Sequence, residues 1–232
     1  MYTEIILISF LGGLICLDRI FIQAMISRPI VVAPFFGLLL GDAYNGLIIG
    51  AIIELFWLDR VPVGTYIPPN DSITAILITA AAILTGKKLG AVTPEIMAAC
   101  VLIFIPFGVL AKKIEIFIAT ANDAVSDDAL EDAKSGDFRA IERKNYLGLL
   151  RYFAFSAFFL LIIQLILIPL IIWLYPMLHP SVINALNLTF FFLPLLGIAV
   201  ALNTIKLRGA IPVFCVIFLI IVVIKEFSHD FF

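Results

Sequence analysis

The stretch from Arg28 to Asp71 reads RPIVVAPFFGLLLGDAYNGLIIGAIIELFWLDRVPVGTYIPPND. Two spacings in it decide the fold. Ala33, Gly37 and Gly41 recur every fourth residue, and Gly46, Gly50 and Glu54 repeat the pattern. Residues four apart share one helix face, so the stretch predicts two helices, each with a smooth stripe of small residues. Such stripes let helix backbones come close inside a membrane. Gly41-Asp42 predicts the end of one helix and the start of the next. The apolar runs at 46–58 and 73–86 are too short for a full crossing, which needs about 20 residues. Short apolar segments interrupted by Pro and Gly predict broken or re-entrant helices. Residues 59–71 carry Pro62, Gly64, Pro68 and Pro69. They read equally as irregular chain at membrane depth or as a surface loop between two short helices.

The rest of the chain supports a membrane setting. Of its 232 residues, 63% are hydrophobic and 14% charged, against roughly 45–50% and 25% in a soluble domain. A soluble fold leaves about a third of its surface outside, and this composition has too little polar surface to cover it. A bilayer removes that demand by acting as an apolar solvent. The net charge is −2 and no basic stripe exists, so nucleic acid is not an expected partner. Cys16, Cys100 and Cys215 each lie in an apolar run and read as small buried residues. Their spacing predicts no metal site. The opening Met1-Tyr2-Thr3-Glu4 has no basic region before the apolar run, which argues against a cleaved signal peptide.

Apolar runs also occupy 5–17, 20–40, 89–111, 146–175, 182–204 and 209–224, and those at 89–111, 146–175 and 182–204 are long enough to cross. Between them, 112–145 holds six Lys/Arg residues among many acids, with Ser135-Gly136-Asp137 as a break between two helices. The expected organisation is therefore a first membrane half at 1–111, a charged helical arm at 112–145 and a second membrane half at 146–232. The positive-inside rule puts the arm in the cytoplasm. It then puts His179 outside, and Lys206 and Arg208 inside. Lys87-Lys88 would fall on the side opposite Lys112, which a simple serpentine does not explain.

Glu54 sits within Ala51-Ile52-Ile53-Glu54-Leu55-Phe56-Trp57. A charge there costs roughly 2.5–3.5 kcal/mol on insertion scales, so it faces protein or a wet cavity. Two roles suit it: holding backbone groups freed by a broken helix, or binding a polar ligand. A neutral sugar asks for acids and amides against its hydroxyls and aromatic faces against its ring. Glu54, Asn70 and Asp71 supply the first, Trp57 and Tyr66 the second, and Asp42 is a further candidate. Asp71 with Ser72 also reads as an N-cap, and so does Asp42.

Read together, Arg28-Pro29-Ile30-Val31, Gly37-x-x-x-Gly41-Asp42, Gly46-x-x-x-Gly50-x-x-x-Glu54, Val63-Gly64 and Pro68-Pro69-Asn70-Asp71 resemble the IIC component of the mannose/fructose/sorbose-type bacterial phosphotransferase systems. Ser135-Gly136-Asp137-Phe138-Arg139-Ala140-Ile141 and Leu149-Leu150-Arg151 are similar to that family's sequence after the arm. The resemblance implies an all-α integral membrane protein with transmembrane and broken or re-entrant helices, an inverted repeat and one cytoplasmic arm. It implies a sugar permease subunit of the bacterial inner membrane, hetero-oligomeric with a IID membrane subunit and containing several IIC copies. It also implies that cytoplasmic IIA and IIB phosphocarriers phosphorylate the sugar. The chain would then be no enzyme on its own and need no cofactor. His179 has no acid or arginine beside it, and His229, next to Asp230, has no arginine near it; neither reads as a phosphohistidine site, in keeping with this. The sequence departs from the family at Leu58-Asp59, where Leu-Gly is common. It also departs at Asn70, where the acid comes one place later, and before Arg28, where Gln23 is the nearest amide. These departures bear on which sugar is carried. Two other classes compete: a transporter or channel uncoupled from phosphate, and a non-transporting scaffold or receptor subunit.

Overall fold

The computed structural model describes residues 1–60, 66–204 and 212–220. Expectations placed on Val63-Gly64, Lys206, Arg208 and His229 lie outside these residues. The described residues form helices and connections, with no strand among them.

Helix α1 (Tyr2–Cys16) ends in a 3-10 turn, Leu17–Arg19. Helices α2 (Pro29–Leu39) and α3 (Ala43–Phe56) form a tight hairpin. Pro29 opens α2, where a missing N–H is harmless. Gly41 has φ +80°, the left-handed turn that reverses the chain. It therefore lies outside α2 and does not extend the Ala33–Gly37 stripe, as its spacing suggested. Asp42 caps α3, its Oδ1 accepting from Asn45 N at 3.1 Å. The stripes otherwise meet each other. A Cβ on Gly46 would lie 2.7 Å from the Ala33 carbonyl oxygen, and one on Gly50 would lie 2.5 Å from that of Pro29. Only glycine fits there, so α2 and α3 touch backbone to backbone. At about 16 and 21 Å long, neither crosses a bilayer core of about 30 Å.

Helix α4 (Asp71–Leu89) is the centre of the molecule, and every residue from Ser72 to Gly86 is buried. Helices α1, α2, α3, α5 and α6 surround it. With 19 residues it is long enough to cross, which corrects the expectation that the 73–86 run is too short. The helix gains length at both ends. Asn70 caps it ahead of Asp71, its Oδ1 accepting from Ile73 N at 2.8 Å, so the cap is Asn70 and not the Asp71-Ser72 pair. Lys87 and Lys88 belong to its last turn, and Lys87 Nζ meets Glu4 Oε1 at 3.0 Å. That ion pair accounts for a lysine on the face opposite the arm.

Helices α5 (Pro94–Ser135) and α6 (Phe138–Leu174) run 42 and 37 residues. Both pass unbroken from apolar into charged sequence, so the arm is the continuation of two long apolar helices. Gly136 ends α5, and Asp137 caps α6 through Ala140 N at 3.1 Å. Helix α7 (Pro180–Thr204) packs on α3 and α5. In all, α4, α5, α6 extended through Met177, and α7 are long and apolar enough to cross a membrane. Cys16 and Cys100 are buried as expected, but Cys215 is exposed because nothing in the described chain covers 212–220.

Candidate functional site

The site forms where α3 stops and α4 begins. After Trp57 the chain leaves the helix and returns at Tyr66 through Ile67-Pro68-Pro69, and Asn70 N donates to the Gly108 carbonyl of α5 at 3.0 Å. The break is thus stitched to the middle of α5. There a Cβ on Gly108 would collide with the Thr74 hydroxyl and lie 3.3 Å from the Trp57 ring. The opening left by the break is a cavity of about 910 Å³, lined by the 3-10 turn after α1, the 20–28 loop, α3, the described residues of the 58–68 connection, α4, α5 and α6. It lies at the end of the apolar helices from which α5 and α6 continue into the arm.

Four of the six residues singled out from sequence line this cavity: Glu54, Trp57, Tyr66 and Asp71. Glu54 pairs with Arg28, and its Oε2 accepts from Ile30 N at 3.3 Å, at the unsatisfied first turn of α2. It therefore does what a broken helix asks of it and also faces the cavity. Asp71 pairs with Arg19, whose Nη2 also reaches the Pro69 carbonyl at 3.4 Å. Tyr66 sits at the rim, where Lys112 Nζ lies 4.8 Å from its ring centroid. Such a cation over an aromatic face is worth roughly 0.5–1 kcal/mol at an exposed site.

The other two candidates lie elsewhere. Asn70 is fully buried behind the wall. Its oxygen caps α4 and its Nδ2 donates to Glu115 Oε1 at 2.7 Å. Asp42 sits at the far end of α3, about 18 Å along the helix from Glu54, and its two oxygens hold Asn45 N and Asn45 Nδ2. It is a cap and does not line the cavity.

The structure adds residues that sequence reading passed over. Asp18 is almost wholly buried and ties down the 20–28 loop, accepting from Ala24 N at 2.7 Å and from Ser27 N and Oγ at 3.0 Å each. That loop holds Gln23 and Met25 at φ 56° and 62°, a conformation non-glycine residues adopt only when the surroundings impose it. It brings Gln23 and Arg28 to the cavity. Glu115 and Tyr152 form the opposite wall, the tyrosine hydroxyl donating to Glu115 Oε1. A signal for Glu115 was present: Glu115, Ile118, Ala119 and Asn122 lie on one helical face, and all four line the cavity. Acids, amides, cations and aromatic faces around one cavity can hold a polar ligand with many hydroxyls. Among the described residues no His, Cys, Asp and Glu group could hold a metal.

The sequence profile of a family described as the PTS system sorbose-specific IIC component matches residues 2–228. A putative N-acetylgalactosamine permease IIC component of Escherichia coli K12 is 38% identical over 82 residues, 35% of this chain and 59% of that relative. The match therefore spans less than two thirds of the relative's length. Among solved structures, one titled only as a membrane protein superposes with TM-score 0.70 at 20% identity. The mannose transporter ManYZ, solved in complex with microcin E492, superposes with TM-score 0.60 at 21% identity. Each covers 94% of this chain and 84% of the other. At those identities the likeness is one of fold.

Proposed function

Because the chain belongs to the sorbose-specific IIC family of the phosphotransferase systems, we propose that it is the subunit that binds a neutral hexose-type sugar and carries it across the bacterial inner membrane. The sugar rests in the cavity between α3, α4 and α5. A IID subunit completes the permease in the membrane, several IIC copies assemble in the complex, and a IIB protein charged by IIA phosphorylates the sugar at the cytoplasmic face. The chain supplies binding and passage, and the phosphoryl chemistry stays with the partners.

One observation carries this reading. Residues chosen as sugar ligands from sequence, on α3, in the break and at the start of α4, face one cavity: Glu54, Trp57, Tyr66 and Asp71. The carboxylates offer acceptors to hydroxyl donors, and the two rings offer apolar faces to the C–H side of a pyranose. The cavity wall includes Ile118, Ala119 and Asn122 at the start of the arm, and the six Lys/Arg residues of 112–145 support a cytoplasmic arm. The cytoplasm is the side on which a phosphoryl donor works. The names of the N-acetylgalactosamine permease and of ManYZ support a hexose or its N-acetylated amine as cargo.

The test uses the protein's own reporter. Of its two tryptophans, Trp57 lines the cavity and Trp173 is 61% exposed. In a Trp173→Phe variant, adding mannose or N-acetylgalactosamine should shift Trp57 emission saturably, and a hydroxyl-free solute of similar size should not. A flat titration with both sugars, together with no uptake in cells, would sink the sugar-site reading. For orientation, a cysteine at Ala133 should react with permeant and not with impermeant thiol reagents in intact cells. Labelling from outside would invert the topology.

A further inference from the structure

Four carboxylates line the cavity, and they differ in what their oxygens already hold. Asp18 has both oxygens taken, by Ala24 N and by Ser27 N and Oγ. Glu54 has both taken, by Arg28 and by Ile30 N. Asp71 Oδ1 holds Arg19 and also accepts from Ser72 N at 2.9 Å. Asp71 Oδ2 has no partner among the described residues, but that side chain is 28% exposed. Glu115 differs from all three in that its unpartnered oxygen is buried. Its Oε1 accepts from Asn70 Nδ2 at 2.7 Å and from the Tyr152 hydroxyl, and its Oε2 has no partner among the described residues. The side chain is held from one side only, and it is 93% buried, with 7% of the residue exposed.

A buried carboxylate oxygen without a donor is costly, and the low dielectric that makes it so strengthens the first hydrogen bond it receives. The protein has donors nearby and does not use them here. Arg19 is committed to Asp71 and the Pro69 carbonyl, and Asn70 and Tyr152 to Oε1. We infer that Glu115 is the specificity-determining residue of the cavity: its Oε2 accepts one hydrogen bond from a hydroxyl of the sugar, and an analogue without a donor at that position is rejected. This rests on the sugar-site reading and names the atom that selects within it. Oε2 shows less than 1 Å² of surface. A donor therefore reaches it through a side-chain shift in the wall, of the kind that commonly accompanies binding. Asn70 has a different part. It links Glu115 Oε1 to the α4 cap and so fixes the carboxylate's orientation.

Glu115→Gln isolates the unpartnered atom. The amide oxygen can take the place of Oε1 and keep accepting from Asn70 and Tyr152, while the amide nitrogen puts a donor where Oε2 was an acceptor. The probes are mannose and N-acetylgalactosamine with each hydroxyl replaced in turn by fluorine, which removes the donor. They compete for uptake of the parent sugar in cells that express the full chain with its partner subunits. In the unaltered protein one fluorinated position should compete about 10- to 150-fold less well, the size of a hydrogen bond to a charged group. In Glu115→Gln that single penalty should vanish and the penalties at other positions should remain. Tyr152→Phe acts on Oε1 alone and should keep the penalty. An identical pattern of penalties in the unaltered protein and in Glu115→Gln, at equal membrane abundance, overturns the inference and leaves the sugar site standing. If Glu115→Gln does not reach the membrane, Glu115→Asp replaces it. Its shorter side chain draws the acceptor back, so the same penalty should shrink, and a penalty of full size would again overturn the inference. If the unaltered protein neither takes up nor binds either sugar, the sugar-site reading falls and this inference with it.

Discussion

Helices α4 and α7 are both apolar and both long enough to cross a bilayer, yet the chain surrounds one and leaves the other bare. In their most apolar windows 83% of α4 is buried inside the chain, against 11% of α7. The side chains explain the difference. Helix α4 is built from Ala75, Ala80, Ala81, Ala82, three threonines and Gly86 among its larger aliphatics. Five neighbouring helices can approach such a rod closely. Helix α7 carries Phe190, Phe191, Phe192, Leu193 and Leu196, and only Leu193 and Gly197 are buried. Where α7 does touch, it does so through a small residue, since a Cβ on Gly197 would lie 2.7 Å from Leu55 Cβ. Hydropathy puts a helix in the membrane, and side-chain size decides whether its neighbours there are helices or lipid and partner subunits.

Substitutions can break that contrast. The largest effect is expected at the start of α4. Asn70→Ala removes the cap, worth about 1 kcal/mol, and a charge-assisted bond to buried Glu115, worth about 1.5–3 kcal/mol. The combined loss should lower the melting temperature of detergent-extracted protein well beyond any other single change proposed for α4 or α7. Parent-like melting would mean that α4 does not depend on its cap. Ala81→Leu comes next. Ala81 is fully buried, and overpacking of this kind costs roughly 1–3 kcal/mol. On α7 the reverse change, Leu196→Ala at a residue 57% exposed, should alter stability by less than about 0.5 kcal/mol. A Leu196→Ala loss as large as that of Ala81→Leu in the chain without partners would erase the distinction between the two helices.

How much of this was legible depended on whether a feature was local. The Asp42 cap and the Gly136 break are short-range chemistry, and the sequence announces both. The four cavity residues on α3, in the break and at the start of α4 lie within 18 positions, Glu54 to Asp71, and could be grouped by their shared interruption. Arg19 and Asp71 stand 52 positions apart, and Glu115 and Tyr152 stand 37 apart. No local pattern joins such pairs. Glu115 was also masked by its setting, because it follows Lys112-Lys113 and precedes the arm's acids. It reads as the first member of a solvated run when it is the last member of a buried face. Asn70 reads from sequence as a sugar ligand, but its oxygen caps α4 and its nitrogen holds Glu115.

Helix α5 does not end where the apolar sequence ends. The turn that carries Glu115 and the tip at Ser135 belong to one uninterrupted helix, about 30 Å apart along its axis. At the far end Lys144 Nζ grips Asp132 Oδ2 at 2.5 Å, tying α5 to α6 beyond the Gly136 turn. The arm is therefore a lever whose short end is the cavity wall. A swing of only 5° about Glu115 carries the tip through about 2.6 Å, given the rise of 1.5 Å per residue. The relation also runs backwards: anything that grasps the tip has a mechanical hold on the cavity wall, with no hinge between them to absorb the motion.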